Sequence, residues 1–134
     1  MLRKTITYKD YNDIERTETF YFNLTEAELV EMEYSTTGGM KEMLMKIVEA
    51  QDNPALFKTF KDFILKSYGE KSADGREFLK FDKDGCRLAD RFVQTEAFSI
   101  LLVELVSDVN KAAEFVNGVI PANRKPKTNP APVQ

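Results

Sequence analysis

Histidine and tryptophan are missing from the 134 residues, and there is a single cysteine. Without histidine, no side chain has an ordinary pKa near neutrality. That removes the commonest general base, the His-dependent triads and most zinc sites. Cys86 has no second cysteine to bridge, which fits a reducing compartment, and it reads as a small packing residue. No apolar run approaches the roughly 20 residues that cross a bilayer. The opening "MLRKTITYKD" lacks the apolar stretch of a secretory signal. A formal net charge of −3 provides no field to gather nucleic acid. Neither a membrane nor a nucleic-acid partner is expected, nor a metal or cofactor.

What is present is an ordinary globular composition, 43% hydrophobic and 31% charged, with ten phenylalanines to build a core. The length suits one domain, read as residues 1–120. "LRKTITYK" places Leu2, Ile6 and Tyr8 on one face at period two, and "IERTETFYF" does the same for Ile14, Phe20 and Phe22. The "DYND" between them supplies turn chemistry, so residues 2–22 are expected to form a β-hairpin. A lone hairpin is marginal in water, so its apolar face must lie on helices or on another chain.

At "NLTEAELVEM" the period changes. Thr25 and Glu28 have the spacing of a capping box, and Leu24 and Leu29 that of a hydrophobic staple. Residues 25–120 are expected to be mostly helical. The first helix ends near Ser35. A second spans about 40–51, with Met40, Met43, Leu44, Ile47 and Val48 on its stripe, and a third about 54–68, closed by Gly69. A loop or short strand pair is expected near 78–81, then a short helix at about 86–93. Thr95 starts a helix to about 106, and Ser107 or Asp108 caps a last one at about 109–117, closed by Gly118. The expected architecture is thus α+β, a hairpin packed on about five helices. From Pro121 onward the chain is basic and holds four prolines, and it is expected to be a disordered tail.

Two motifs that suggest chemistry fail on spacing. "FDKDGCRLADRF" imitates part of a calcium loop, but with Gly85 at the sixth position Lys80 and Arg91 fall at the first and twelfth ligand positions. "STTGGMK" lacks the spacing of a phosphate-binding loop. No catalytic residue emerges. The acidic run Glu26, Glu28, Glu31 and Glu33 is a wet helix face or a dock for a basic partner. Arg124, Lys125 and Lys127 offer only weak, salt-sensitive contact with nucleic acid. In "EAFSILLVELV" the core stripe is Phe98, Leu101, Leu102, Leu105 and Val106, while Ile100 and Val103 point elsewhere. Such a helix is either central to the bundle, the reading preferred here, or a binding face. Met45 and Leu65 also lie off their stripes and join Ile100 and Val103 as candidate partner-binding residues.

Across the chain, "ITYKDYNDIERTETFYFNLTEAELVEME", "GGM", "ILKSYGEKSADGREF", "QTEAFS" and "AAEFVNGVIP" resemble the small tail assembly chaperones of long-tailed bacteriophages. The resemblance spans roughly residues 3–122 and carries no catalytic motif. It implies a non-enzymatic protein of the host bacterial cytoplasm, absent from the mature virion. Such a protein binds the tape-measure protein, keeps it soluble and helps recruit tail-tube subunits. Apart from the resemblance, the off-stripe apolar residues and a hairpin in need of cover point to self-association or a hydrophobic client. Two alternatives stand beside it, a structural tail or connector subunit and a small adaptor for a host protein.

Overall fold

The computed structural model describes residues 1–35 and 53–120, with the side chains of residues 32–35 and 53 left aside. The expected helix at 40–51, Met45 included, and the tail at 121–134 lie outside the described residues. In chain order the elements are β1 (Leu2–Lys9), β2 (Glu15–Phe22), α1 (Glu26–Ser35), α2 (Asn53–Ser67), β3 (Tyr68–Lys71), β4 (Phe78–Leu79), α3 (Ala89–Phe92), α4 (Glu96–Ser107) and α5 (Val109–Val119). The fold is α+β, with five helices among the described residues.

The hairpin forms as its spacing predicts, antiparallel and in register from Leu2 opposite Phe22 to Lys9 opposite Glu15. Its turn is organised by Asp10, whose carboxylate accepts the backbone N–H of Asn12 at 2.8 Å and of Ile14 at 3.0 Å. Asp13 takes the left-handed conformation at φ 63°, which aspartate tolerates better than most residues. Ile14 falls outside the strand and is exposed at the turn, rather than continuing the apolar face of Phe20 and Phe22. On the outer face, threonines pair across the strands, Thr5 with Thr19 and Thr7 with Thr17, each at 2.9 Å. On the inner face Ile6 and Phe22 are buried, with Leu2, Tyr8 and Phe20 packed on the same core.

The hairpin is also one half of a larger sheet. β3 pairs antiparallel with β2, Tyr21 opposite Gly69 and Phe22 opposite Tyr68, and β4 pairs with β3, giving the order β1-β2-β3-β4. The expected helix through residue 68 therefore stops one residue early. Gly69 does not cap it but lies inside β3, with the Phe78 ring packed on its Cα. A Cβ there would meet Phe78 Cε2 at 2.5 Å and the Leu79 carbonyl oxygen at 2.6 Å. The strand pair comes earlier than residues 78–81 suggested, because its first strand begins where α2 ends.

The helical termini follow local chemistry. Thr25 N–H donates to Glu28 Oε1 at 2.8 Å, and Glu28 N–H donates to Thr25 Oγ1 at 3.1 Å, a closed capping box. Leu24 and Leu29 are both buried in the core cluster. Thr95 Oγ1 accepts from Phe98 N–H, and Asp108 from the N–H groups of Asn110 and Lys111. The last helix runs past Gly118 to Val119. Gly118 is there for proximity, since a Cβ would come within 2.8 Å of Leu2 Cδ1.

The core lies between the sheet's inner face and the helices, and its centre is aromatic. Phe22, fully buried, meets Tyr68, Phe92 and Phe115 with ring centroids at 5.7, 5.8 and 5.2 Å. Tyr68 stacks on Phe92 at 4.3 Å, and burial pushes its hydroxyl pKa up to about 12. Ser67, the one buried polar side chain among the described residues, donates to the carbonyls of Phe63 and Ile64, and its own carbonyl accepts Asn23 N–H at 2.7 Å. No helix among the described residues is long and apolar enough to cross a membrane.

The two close approaches predict opposite tolerance. Gly69→Ala should cost about 2 kcal/mol or more, because backbone as well as a ring stands in the way. Gly118→Ala should stay within about 1 kcal/mol of wild type, since the helix gains propensity and only the end of Leu2 must move. Urea unfolding midpoints of the two variants check this.

Candidate binding surface

Helix α4 carries two faces. Ala97, Phe98, Leu101, Leu102 and Leu105 are buried, which is the predicted stripe with Ala97 added and with Val106 half-buried beside it. The opposite side holds Ile100, 41% exposed, and Val103, 57% exposed. Three residues apart, they stand one above the other on the helix surface. The helix is central, packing on α2, α5 and β1, yet it leaves Ile100 and Val103 exposed on its outer side.

The surroundings of this stripe are set by the hairpin and by α5. At its start, Tyr11 in the hairpin turn, 75% exposed, donates to Glu96 Oε1 at 3.4 Å. Beyond its end, Val109 is exposed at the first position of α5, just after the Asp108 cap. Along the side facing β1, Glu104 accepts from Lys4 Nζ at 3.0 Å and lies 3.8 Å from Lys111 Nζ. The stripe is therefore apolar in the middle, with an aromatic ring at one end and ion pairs along one flank. Ile100 and Val103 thus stand in solvent, as Phe57 and Phe81 do elsewhere on the surface.

The other described candidates lie on other elements. Leu65 is half-buried against the core from α2. Glu26 and Glu31 are exposed on α1, and Glu33 follows on the same helix. Glu28 is occupied structurally: besides closing the capping box, it accepts from Lys80 Nζ at 2.6 Å. That ammonium also donates to the Lys66 carbonyl at 2.8 Å. One lysine thus ties the start of α1 to the end of α2, a contact between distant segments that spacing did not reveal.

The residues of the rejected calcium motif act on their own backbone. Asp82 Oδ1 accepts the N–H groups of Asp84 and Cys86, both at 2.9 Å, so its charge shapes a turn. Cys86 is exposed in that turn. Among the described residues no group of histidine, cysteine, aspartate or glutamate side chains is arranged to hold a metal ion. Where β2 and β3 part, a cleft of about 500 Å³ is lined by Glu18, Phe20, Tyr68 and Glu70 among others. The Tyr68 hydroxyl there stays neutral across the physiological range.

What the described residues present on the outer side of α4 is a pair of exposed apolar side chains. The chain belongs to a phage tail assembly chaperone family, whose family model matches residues 1–131. Comparison with the curated proteins and with the solved structures returns no match.

The hairpin tip that supports Tyr11 is acid-sensitive. Arg16, donating to Asp10 Oδ2 at 2.6 Å, and the Ile14 and Asn12 N–H groups hold the Asp10 carboxyl below the ordinary aspartate range. A depressed folded-state pKa means the stabilisation is present above the unfolded pKa and is lost as pH falls through the folded one. The amide resonances of Asn12 and Ile14 should therefore titrate together below the ordinary aspartate range, and Asp10→Asn should abolish that titration in an NMR pH series.

Proposed function

We propose that this chaperone binds the tape-measure protein of its phage through the outer face of α4, keeps that client soluble, and helps recruit tail-tube subunits without catalysing a reaction. Family membership carries the general role. The face rests on one observation, the exposed pair Ile100 and Val103 on a helix whose other side is fully packed. A long helical client with apolar stretches would lay those stretches along such a stripe, as helices dock through residues three and four apart. Tyr11, whose hydroxyl donates to Glu96, adds an aromatic ring at the start of the same helix. The acidic residues of α1, Glu26, Glu28, Glu31 and Glu33, keep the complex soluble and steer basic client segments, an effect that salt screens. On this reading the protein works in the host cytoplasm, before the tail is complete, and leaves before the virion matures.

The test is co-expression with the tape-measure protein encoded beside it. The client should become soluble and co-purify with the wild-type chain. Ile100→Asp and Val103→Asp variants, shown to be folded by circular dichroism, should lose it by at least about tenfold, since a charge placed in a desolvated apolar contact costs several kcal/mol. Retention by both folded variants moves the client to another face. A client that stays insoluble beside the wild-type chain removes the proposal.

A further inference from the structure

The structure assigns a second contact site, separate from the α4 face: the free edge of β1, where we infer that an extended, acid-flanked segment of a partner protein adds as a fifth strand. The orientation of the β1 backbone follows from two hydrogen bonds. Asp10 N–H donates to the Ile14 carbonyl at 2.9 Å, which makes residues 10 and 14 a hydrogen-bonded pair of the hairpin. Asn23 N–H donates to the Ser67 carbonyl at 2.7 Å, so odd-numbered residues of β2 turn toward β3 and even-numbered ones toward β1. Antiparallel pairs alternate, and in this register even residues of β1 face even residues of β2. The N–H and C=O groups of Lys4, Ile6 and Tyr8 are therefore spent within the hairpin. Those of Arg3, Thr5, Thr7 and Lys9 point outward.

Among the described residues no strand pairs with β1 on that side, and Arg3, Thr5, Thr7 and Lys9 are all exposed. An eight-residue edge with four consecutive outward donor–acceptor sets is a template for another strand unless something blocks it. β1 contains no proline and no bulge interrupts its register.

Charge selects the occupant. β1 carries Arg3, Lys4 and Lys9 and no carboxylate, on a chain whose net charge is −3. Lys4 is engaged by Glu104, but Arg3 lies over the Tyr21 ring at 5.9 Å, with Lys71 over the same ring at 5.4 Å. The outer face of an added strand would thus meet cations at both ends and threonines in the middle. β2 already answers that pattern from the other side, with Glu15 opposite Lys9, Thr17 opposite Thr7 and Thr19 opposite Thr5. On the inner side, a cleft of about 210 Å³ opens beside the first half of β1, between Leu2, Lys4, Glu104, Lys111, Glu114 and Phe115. It has room for an apolar side chain of the incoming strand. The chain's own residues 121–134 fit badly, being basic and holding four prolines.

The probe is the peptide acetyl-Glu-Val-Thr-Val-Thr-Val-Glu-amide, added to the full-length, isotopically labelled protein, with amide hydrogen exchange read by NMR. In the free protein the amides of Thr5 and Thr7 should exchange fast and those of Ile6 and Tyr8 slowly. The peptide should slow Thr5 and Thr7 and leave Ile6 and Tyr8 unchanged. A version with Lys at both ends should bind at least roughly fivefold more weakly, from two cross-strand charge pairs of opposite sign. Methylating the two Thr nitrogens of the peptide should abolish binding, while methylating its Val nitrogens should not, a control that leaves the protein untouched. Thr7→Pro, tolerated where the N–H faces away from the ladder, should also abolish it. The proposal is overturned if the peptide leaves Thr5 and Thr7 unprotected, or if the Lys-ended version binds as well. It is overturned equally if these amides are already protected without peptide. Protection independent of protein concentration would mean that the chain covers its own edge, and protection growing with concentration that a second copy does.

Discussion

The Phe22 ring sits at the end of β2 with no exposed surface and touches Tyr68 on β3, Phe92 on α3 and Phe115 on α5. One side chain therefore fixes how the sheet lies on two helices, and the other elements are placed relative to it. Phe115 continues to Phe63 of α2 at 5.9 Å, and Phe92 to Phe98 of α4 at 5.8 Å. Tilted and edge-on rings add to the area they bury, and they also fix direction, because each ring presents an edge to a neighbour's face. The network spans strands and helices drawn from both ends of the chain. A sequence without tryptophan obtains its rigid centre by linking several smaller rings.

The two proposed contact surfaces follow from what that centre leaves uncovered. The helices take the inner face of the sheet, so β1 remains an edge. α4 turns its leucines and Phe98 inward to reach Phe92, and by helical geometry Ile100 and Val103 must then point out. Neither feature required a special device. Each is the residue of a packing solution that satisfies the core and leaves specific groups in water, and the fold offers apolar stripe and polar edge on separate elements.

Much of this was legible in the sequence where the determining chemistry is local. The Thr25–Glu28 box, the Thr95 and Asp108 caps, and the Asp10 turn each need only a few neighbouring residues, and the period-two strands announce themselves. What spacing could not convey is distant pairing. β3 and β4 have four and two residues, too short for a pattern, and exist because β2 offers an edge. Gly69 and Gly118 looked like helix stops, the commonest role for glycine in such places, whereas Phe78 and Leu2 decide their actual use. The Lys80 bridge between α1 and α2 is invisible for the same reason. The second apolar side of α4 was plain in the periodicity, but whether a neighbour covers it depends on the tertiary arrangement.

The approach of Leu2 to Gly118, with the Lys4–Glu104 pair beside it, joins the first strand to the last helices. The hairpin is translated before the helices whose surface it rests on. On the ribosome, β1 and β2 can close their own ladder, but Phe20 and Phe22 gain Tyr68 and Phe92 only later and Phe22 meets Phe115 only once α5 is synthesised. Contacts of such long sequence separation are slow to form, so this tail assembly chaperone passes through a stage at which its own apolar segments are bare.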